Sequence, residues 1–232
     1  MTWMARGDRK RQEQKHDQAL LNYQTAYKYA NLRNDIWLMG MSLLKQASVH
    51  IDKGDFATAK EYLQRVKTIQ RFEGVDLSHS TKAIQAKSEY IKGNQIGAIE
   101  LVNDLITVFK ENQEKSIYYR WLKMKYAQEQ VDFSTLDADL QQLIALKSSA
   151  KLENIEVMSF VLYQNAQWRA ERLDKSAEDA IKSAIAHFSQ LELTNRIRDC
   201  YILLAKYYKA KGDSQSTAYF EGRADSLKFT NN

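Results

Sequence analysis

Gly54-Asp55-Phe56-Ala57-Thr58-Ala59-Lys60-Glu61-Tyr62-Leu63 returns, shifted by thirty-nine residues, as Gly93-Asn94-Gln95-Ile96-Gly97-Ala98-Ile99-Glu100-Leu101-Val102. Working outward, Ala19 lies forty residues before Ala59, and Ala138 lies forty after Ala98. Ala19 keeps the large residue four positions on, Tyr23, without the turn glycine. Ser134 and Asp137 before Ala138, and Ser176 and Asp179 before Ala180, have the spacing of a helix capping box. Lys211-Gly212-Asp213-Ser214 restores the glycine-aspartate turn near the end. Self-similarity at a fixed period is the mark of a repeat architecture. The chain divides into six units, approximately 1–33, 34–75, 76–113, 114–152, 153–192 and 193–232, forming a single repeat domain over 1–232.

Within each unit apolar residues fall three and four apart, which predicts two helices of roughly fifteen residues joined as a hairpin. In the second unit Leu43, Leu44, Ala47 and Ile51 mark the first helix, and Phe56, Ala59, Leu63 and Val66 mark the second. Gly54 is suited to the left-handed conformation that ends the one, and Asp55 to capping the other. Ala47 and Ala59 fall where the two helices approach most closely, so a larger side chain would push them apart. Polar links are expected at 30–36, 70–78, 110–116, 148–154 and 190–196.

Composition agrees. A chain of 232 residues, 44% hydrophobic and 27% charged, can bury a core without staples. It contains no proline and only eight glycines, which speaks against turn-rich all-β folds. Cys200, the lone cysteine, closes no internal disulfide and builds no zinc site. A net charge of +5 on 34 basic and 29 acidic residues is a small excess on a mixed background, unlike the concentrated field of a nucleic-acid binder. No stretch approaches the roughly twenty apolar residues of a transmembrane helix, so the chain reads as soluble and cytoplasmic, or as periplasmic or lipid-anchored if a leader has been removed.

The repeats resemble the tetratricopeptide family. The last unit carries Tyr201, Leu204, Ala205, Tyr208, Gly212, Asp213 and Ala224 at the family's spacing, with Thr217 replacing a small residue. The first carries Trp3, Gly7, Ala19, Tyr23 and Ala26, and units two and three match through Ala47, Gly54, Ala59 and Ala86, Gly93, Ala98. Units four and five are degenerate, with Tyr126 or Ala127, and Asn165, Ala166 or Trp168, competing for one register. The period is longer than the family's, and the closing proline is missing throughout. The resemblance implies an all-α, right-handed α-solenoid of about six hairpins and about twelve helices, with Trp3 in a packing position and the first helices lining a concave groove.

It also implies which residues face that groove: Met1, Met4, Asp8, Arg11 and Gln12 in the first unit, and Met41, Leu44, Ser48, Ile51 and Asp52 in the second. Ser80, Ala83, Lys87, Tyr90 and Ile91 follow in the third, and Asp199, Ile202, Lys206, Lys209 and Ala210 in the sixth. Arg120, Lys123, Arg169 and Arg172 would join them in units four and five. The family's carboxylate clamp looks absent, because Asp8 and Ser48 hold its asparagine positions. The expected site is Met4, Arg11, Leu44, Lys87, Tyr90, Lys206 and Lys209, taking a protein or peptide segment with apolar anchors and acidic residues.

Signals for chemistry are weak. His16, His50, His79 and His187 stand in different units or links with no metal-ligand spacing. Cys200 has no local base and reads as a small hydrophobe. No phosphate-binding loop, nucleophile elbow or paired-carboxylate motif is present. Most aromatics read as core, with Tyr118-Tyr119 an exposed pair suited to contacts. Arg6, Arg9, Lys10, Arg11 and Lys15 read as a solvated helix face. The expectation is a non-enzymatic interaction scaffold without a cofactor or metal. The alternative is a peptide-responsive sensor, although 232 residues of repeats leave no room for an output domain. Phe220, Leu227 and Phe229 are placed to cover the last hairpin or to meet a second copy.

Overall fold

The computed structural model describes residues 2–128, 132–148 and 155–227. All regular structure among them is helical: α1 (Trp3–Gln12), α2 (His16–Leu32), α3 (Ile36–Asp52), α4 (Phe56–Glu73), α5 (Ser78–Ile91), α6 (Gln95–Val108), α7 (Gln113–Ala127), α8 (Phe133–Ser148), α9 (Ile155–Glu171), α10 (Ala177–Gln190), α11 (Thr194–Ala210) and α12 (Ser214–Ser226). The all-α class and the pairing of consecutive helices agree with the sequence. No described helix is long and apolar enough to cross a membrane. Met1, Phe229 and most of the 148–154 link lie outside the described residues. The helices fall into two compact units, Met1–Glu129 with α1 to α7 and Gln130–Asn232 with α8 to α12.

In the first unit each helix packs on its successor from α1 to α7, and α3 also packs on α5. Contact between the first helices of successive hairpins is what turns separate hairpins into a stack. The turn before α4 explains its shape. Gly54 takes φ +76°, the Asp55 amide donates to the His50 carbonyl at 2.8 Å, and the Asp55 carboxylate accepts from the Thr58 amide at 3.1 Å. Gly93-Asn94 and Gly212-Asp213 repeat it, Asn94 accepting from the Gly97 amide at 3.1 Å and Asp213 from the Ser216 amide at 2.9 Å. Each such cap contributes about 1 kcal/mol.

Small residues sit at the helix crossings as expected. Ala19, Ala47, Ala59, Ala86 and Ala98 are all buried, and Leu43, Leu44, Val66 and Leu77 form an apolar cluster around one crossing. Between α1 and α2 the space is filled by Tyr23, fully buried, whose hydroxyl donates to Asp8 at 2.6 Å. A β-carbon on Gly7 would stand 2.4 Å from that ring. Trp3, expected in a packing position, is 39% exposed and stacks on Tyr29 at 6.4 Å. Tyr23 already occupies the interior, so the indole is left at the edge.

In the second unit α8 packs on α9, α9 on α10 and α11, and α11 on α10 and α12. Arg169 ties its first elements together. It is buried and donates to Asn165 and Asp174, each at 3.0 Å, and to Asp137 and Ser176, with its guanidinium 4.5 Å above the Phe133 ring. Neither expected capping box forms its side-chain bonds here. Helix α8 begins one residue before Ser134, and the Asp132 carboxylate receives the Ser134 amide at 3.0 Å. The Ser176 hydroxyl makes no cap bond, because it is engaged by Asp174 and Arg169.

Candidate partner-binding surface

Five of the seven expected site residues lie in the first unit, where most are already occupied. Arg11 of α1 donates to Asp52 of α3 at 2.8 Å, and Lys87 of α5 pairs with the same carboxylate while reaching Ser48 at 3.4 Å. Burial alone would push the Asp52 carboxyl up, but the charges and hydrogen bonds of Arg11 and Lys87 bring it below the usual carboxylate range. Asp8 is held by Lys45 at 2.7 Å and by Tyr23. Tyr90 stacks on Tyr126 at 4.2 Å, and Met4 accepts from the Ser42 hydroxyl at 3.4 Å.

Leu44 is corrected by the structure. It is 2% exposed inside the apolar cluster and touches no open surface, and its neighbours Ser48 and Ile51 are buried too. The packing of α3 on α5 closes over these positions. The basic run at the amino end is likewise engaged, since Arg9, Lys10 and Lys15 all reach Glu13 at 3.2 Å. Tyr119 is buried rather than exposed, its hydroxyl pushed by burial up to about 12. Arg169 is spent on its internal network and does not join a groove.

The second unit differs. A cleft of about 310 Å³ opens between α9 and α11, the first helices of the last two hairpins. From α11 it is lined by Asp199, Ile202, Leu203, Lys206, Tyr207 and Ala210, and from α9 and the turn after it by Tyr163, Gln167, Ala170, Glu171 and Leu173. Four of the five positions mapped for the sixth unit, Asp199, Ile202, Lys206 and Ala210, are therefore brought together. Lys206 and Lys209 are exposed, Lys206 in the lining and Lys209 outside it. Leu173 holds a left-handed φ of +52°. The α9 side was missed by sequence reading, yet Tyr163 precedes Asp199, and Ala170 precedes Lys206, by thirty-six residues each. A period of thirty-six rather than forty would have revealed it.

Electrostatics in the cleft are unbalanced. Burial raises the Asp199 carboxyl above its usual range against the pull of Arg196 and Arg198, and Arg196 reaches it only at 3.6 Å. Burial, then the Asp199 charge, pushes the Tyr163 hydroxyl up to about 12. The neighbouring Cys200 thiol, fully buried, is pushed by burial to about 12 and stays protonated.

Three of the histidines make separate local contacts. His50 contacts Asp55 at 3.0 Å, His79 packs edge-on against Phe109 at 5.3 Å, and His187 shares a hydrogen bond with Ser159 at 3.0 Å. Among the described residues no three His, Cys, Asp or Glu side chains converge to hold a metal ion. Phe220 stacks on Tyr201 at 6.2 Å and Tyr208 at 5.6 Å, covering part of the last hairpin. Comparison with family models, with curated proteins and with solved structures finds no match to this chain.

Proposed function

We propose that this chain is a non-enzymatic interaction scaffold of the tetratricopeptide kind, holding a segment of a protein partner against the first helices of its hairpins. The observation that carries this reading is the α9/α11 cleft, in which Asp199, Ile202, Lys206 and Ala210 share one open surface. Apolar floor and polar rim are the composition expected of a peptide-binding surface. The partner segment carries apolar side chains for Ile202 and Leu203, and acidic residues that Lys206 and Lys209 orient. Arg11 and Lys87 are committed to Asp52, so they contribute rigidity in the first unit more than attraction.

The test is capture of the native partner at low salt by the wild type and by K206E/K209E, with K60E/K67E as a control of equal charge change on exposed lysines elsewhere. Capture should fall at least about tenfold in K206E/K209E, the consequence of two reversed contacts at a rim. It should hold in the control. Equal capture by all three proteins removes the reading.

A further inference from the structure

Among the charged side chains lining the α9/α11 cleft, two are acidic and one is basic. Asp199 is the inner one, its side chain 20% exposed, while Glu171 is exposed and receives the Gln167 amide at 2.7 Å. A carboxylate withdrawn from water loses solvation that a loose contact does not restore. Arg196 touches Asp199 from the side at 3.6 Å and lies over the Tyr163 ring at 5.7 Å, but it is not part of the cleft lining. The cleft thus combines an apolar floor of Ala170, Ile202 and Leu203 with the rings of Tyr163 and Tyr207 and two carboxylates.

We infer that this cleft receives the side chain of a lysine or arginine from the bound partner. The alkyl stem runs along Ile202 and Leu203, and the cationic head lies between Asp199 and Glu171 beside Tyr163. Long basic side chains bury their stems and keep the charge at a polar edge, and aromatic faces attract cations. Lys206 at the same cleft repels a second cation and favours an acidic residue next to the basic one, so the partner is read as a basic-acidic pair. This inference rests on the scaffold reading for its occupant, while its chemistry is testable without any partner.

The experiment titrates the full, isotope-labelled chain with butylguanidinium and butylammonium, using pentanol as the neutral reference, and follows amide signals of residues 163–171 and 199–207. Saturable shifts confined to these segments are expected with both cations and not with pentanol. E171Q/D199N, which keeps the side-chain shapes, should weaken butylguanidinium by about fivefold or more, and K206E should tighten it about threefold, as expected for partly exposed charge pairs. No saturable shift, an equal response to pentanol, or unchanged affinity in E171Q/D199N overturns the inference. Weaker binding by K206E overturns it as well. If partner capture depends on Lys206 and Lys209 while the cations leave the cleft silent, the scaffold stands and the basic anchor falls. If the cations bind and capture is indifferent to both lysines, the outcome is reversed.

Discussion

His187 is 5% exposed on α10, and its Nε2 lies 3.0 Å from the Ser159 hydroxyl. Burial, reinforced by the charge of Lys147, lowers its pKa from 6.5 to about 4, so the folded chain holds the neutral ring while the unfolded chain takes up a proton near 6.5. The stabilisation is complete above the unfolded value and is lost as pH falls from 6.5 toward 4, amounting to roughly 3 kcal/mol over the whole window. Urea midpoints measured between pH 7 and pH 4.5 should fall in the wild type and fall less in H187F. Parallel slopes would show that the ring carries no such linkage. Arg169 is the second residue of this kind. R169M keeps the stem but leaves Asp137 and Asp174 without their shared cation, and should cost about 2–4 kcal/mol by denaturant unfolding. R169K should restore less than half, because an ammonium has no fork to span Asn165, Asp174 and Asp137 at once.

At the level of elements, the crossing of α1 and α2 is a tight small-residue contact to test. G7A improves helix propensity by about 1 kcal/mol, but its methyl meets a Tyr23 ring that is fully buried and fixed by Asp8. Overpacking of this kind costs about 1–3 kcal/mol, so thermal unfolding should show a net loss, and Y23F/G7A should recover part of it because the ring is then free to shift. Turns of the Gly54-Asp55 type were legible because a left-handed glycine and a following carboxylate are local requirements, met by residues side by side. The capping bonds of α8 and α10 were not legible. Asp132 stands one residue before the actual start of α8, and at α10 Ser176 does hold the cap position, but Arg169 draws its hydroxyl into a contact seven positions along the chain. Local spacing carries no information about such a competitor.

For the whole molecule, division into two compact units predicts that unfolding is not a single step. Trp121 is fully buried in the first unit and Trp168 is 7% exposed in the second, so each reports its own surroundings. Variants keeping one tryptophan and replacing the other three by phenylalanine should give urea transitions with separate midpoints, as nearest-neighbour stability in a stack allows. Coincident transitions would make the chain one cooperative body. The candidate site was partly readable at this scale. Repeat register led to Asp199, Ile202, Lys206 and Ala210, but it also led to Leu44, Ser48 and Ile51, which the approach of α3 to α5 seals. Pairing among these positions was not read from the sequence, although Asp52 follows Arg11 by forty-one residues and precedes Lys87 by thirty-five. How closely successive hairpins approach depends on side chains from both, and no single unit encodes it.

Leu173 sets two demands in opposition. Its backbone occupies a seat that side chains resist, and exchange for glycine would release about 1 kcal/mol of that resistance. The same exchange would erase an apolar wall of the cleft between α9 and α11. A campaign that selects only for heat tolerance should therefore accept L173G, and, under the proposed scaffold function, the winners should capture a partner less well. Retention of leucine under selection for capture, and its loss under selection for melting temperature, would mark this turn as one kept rigid and costly for the sake of binding.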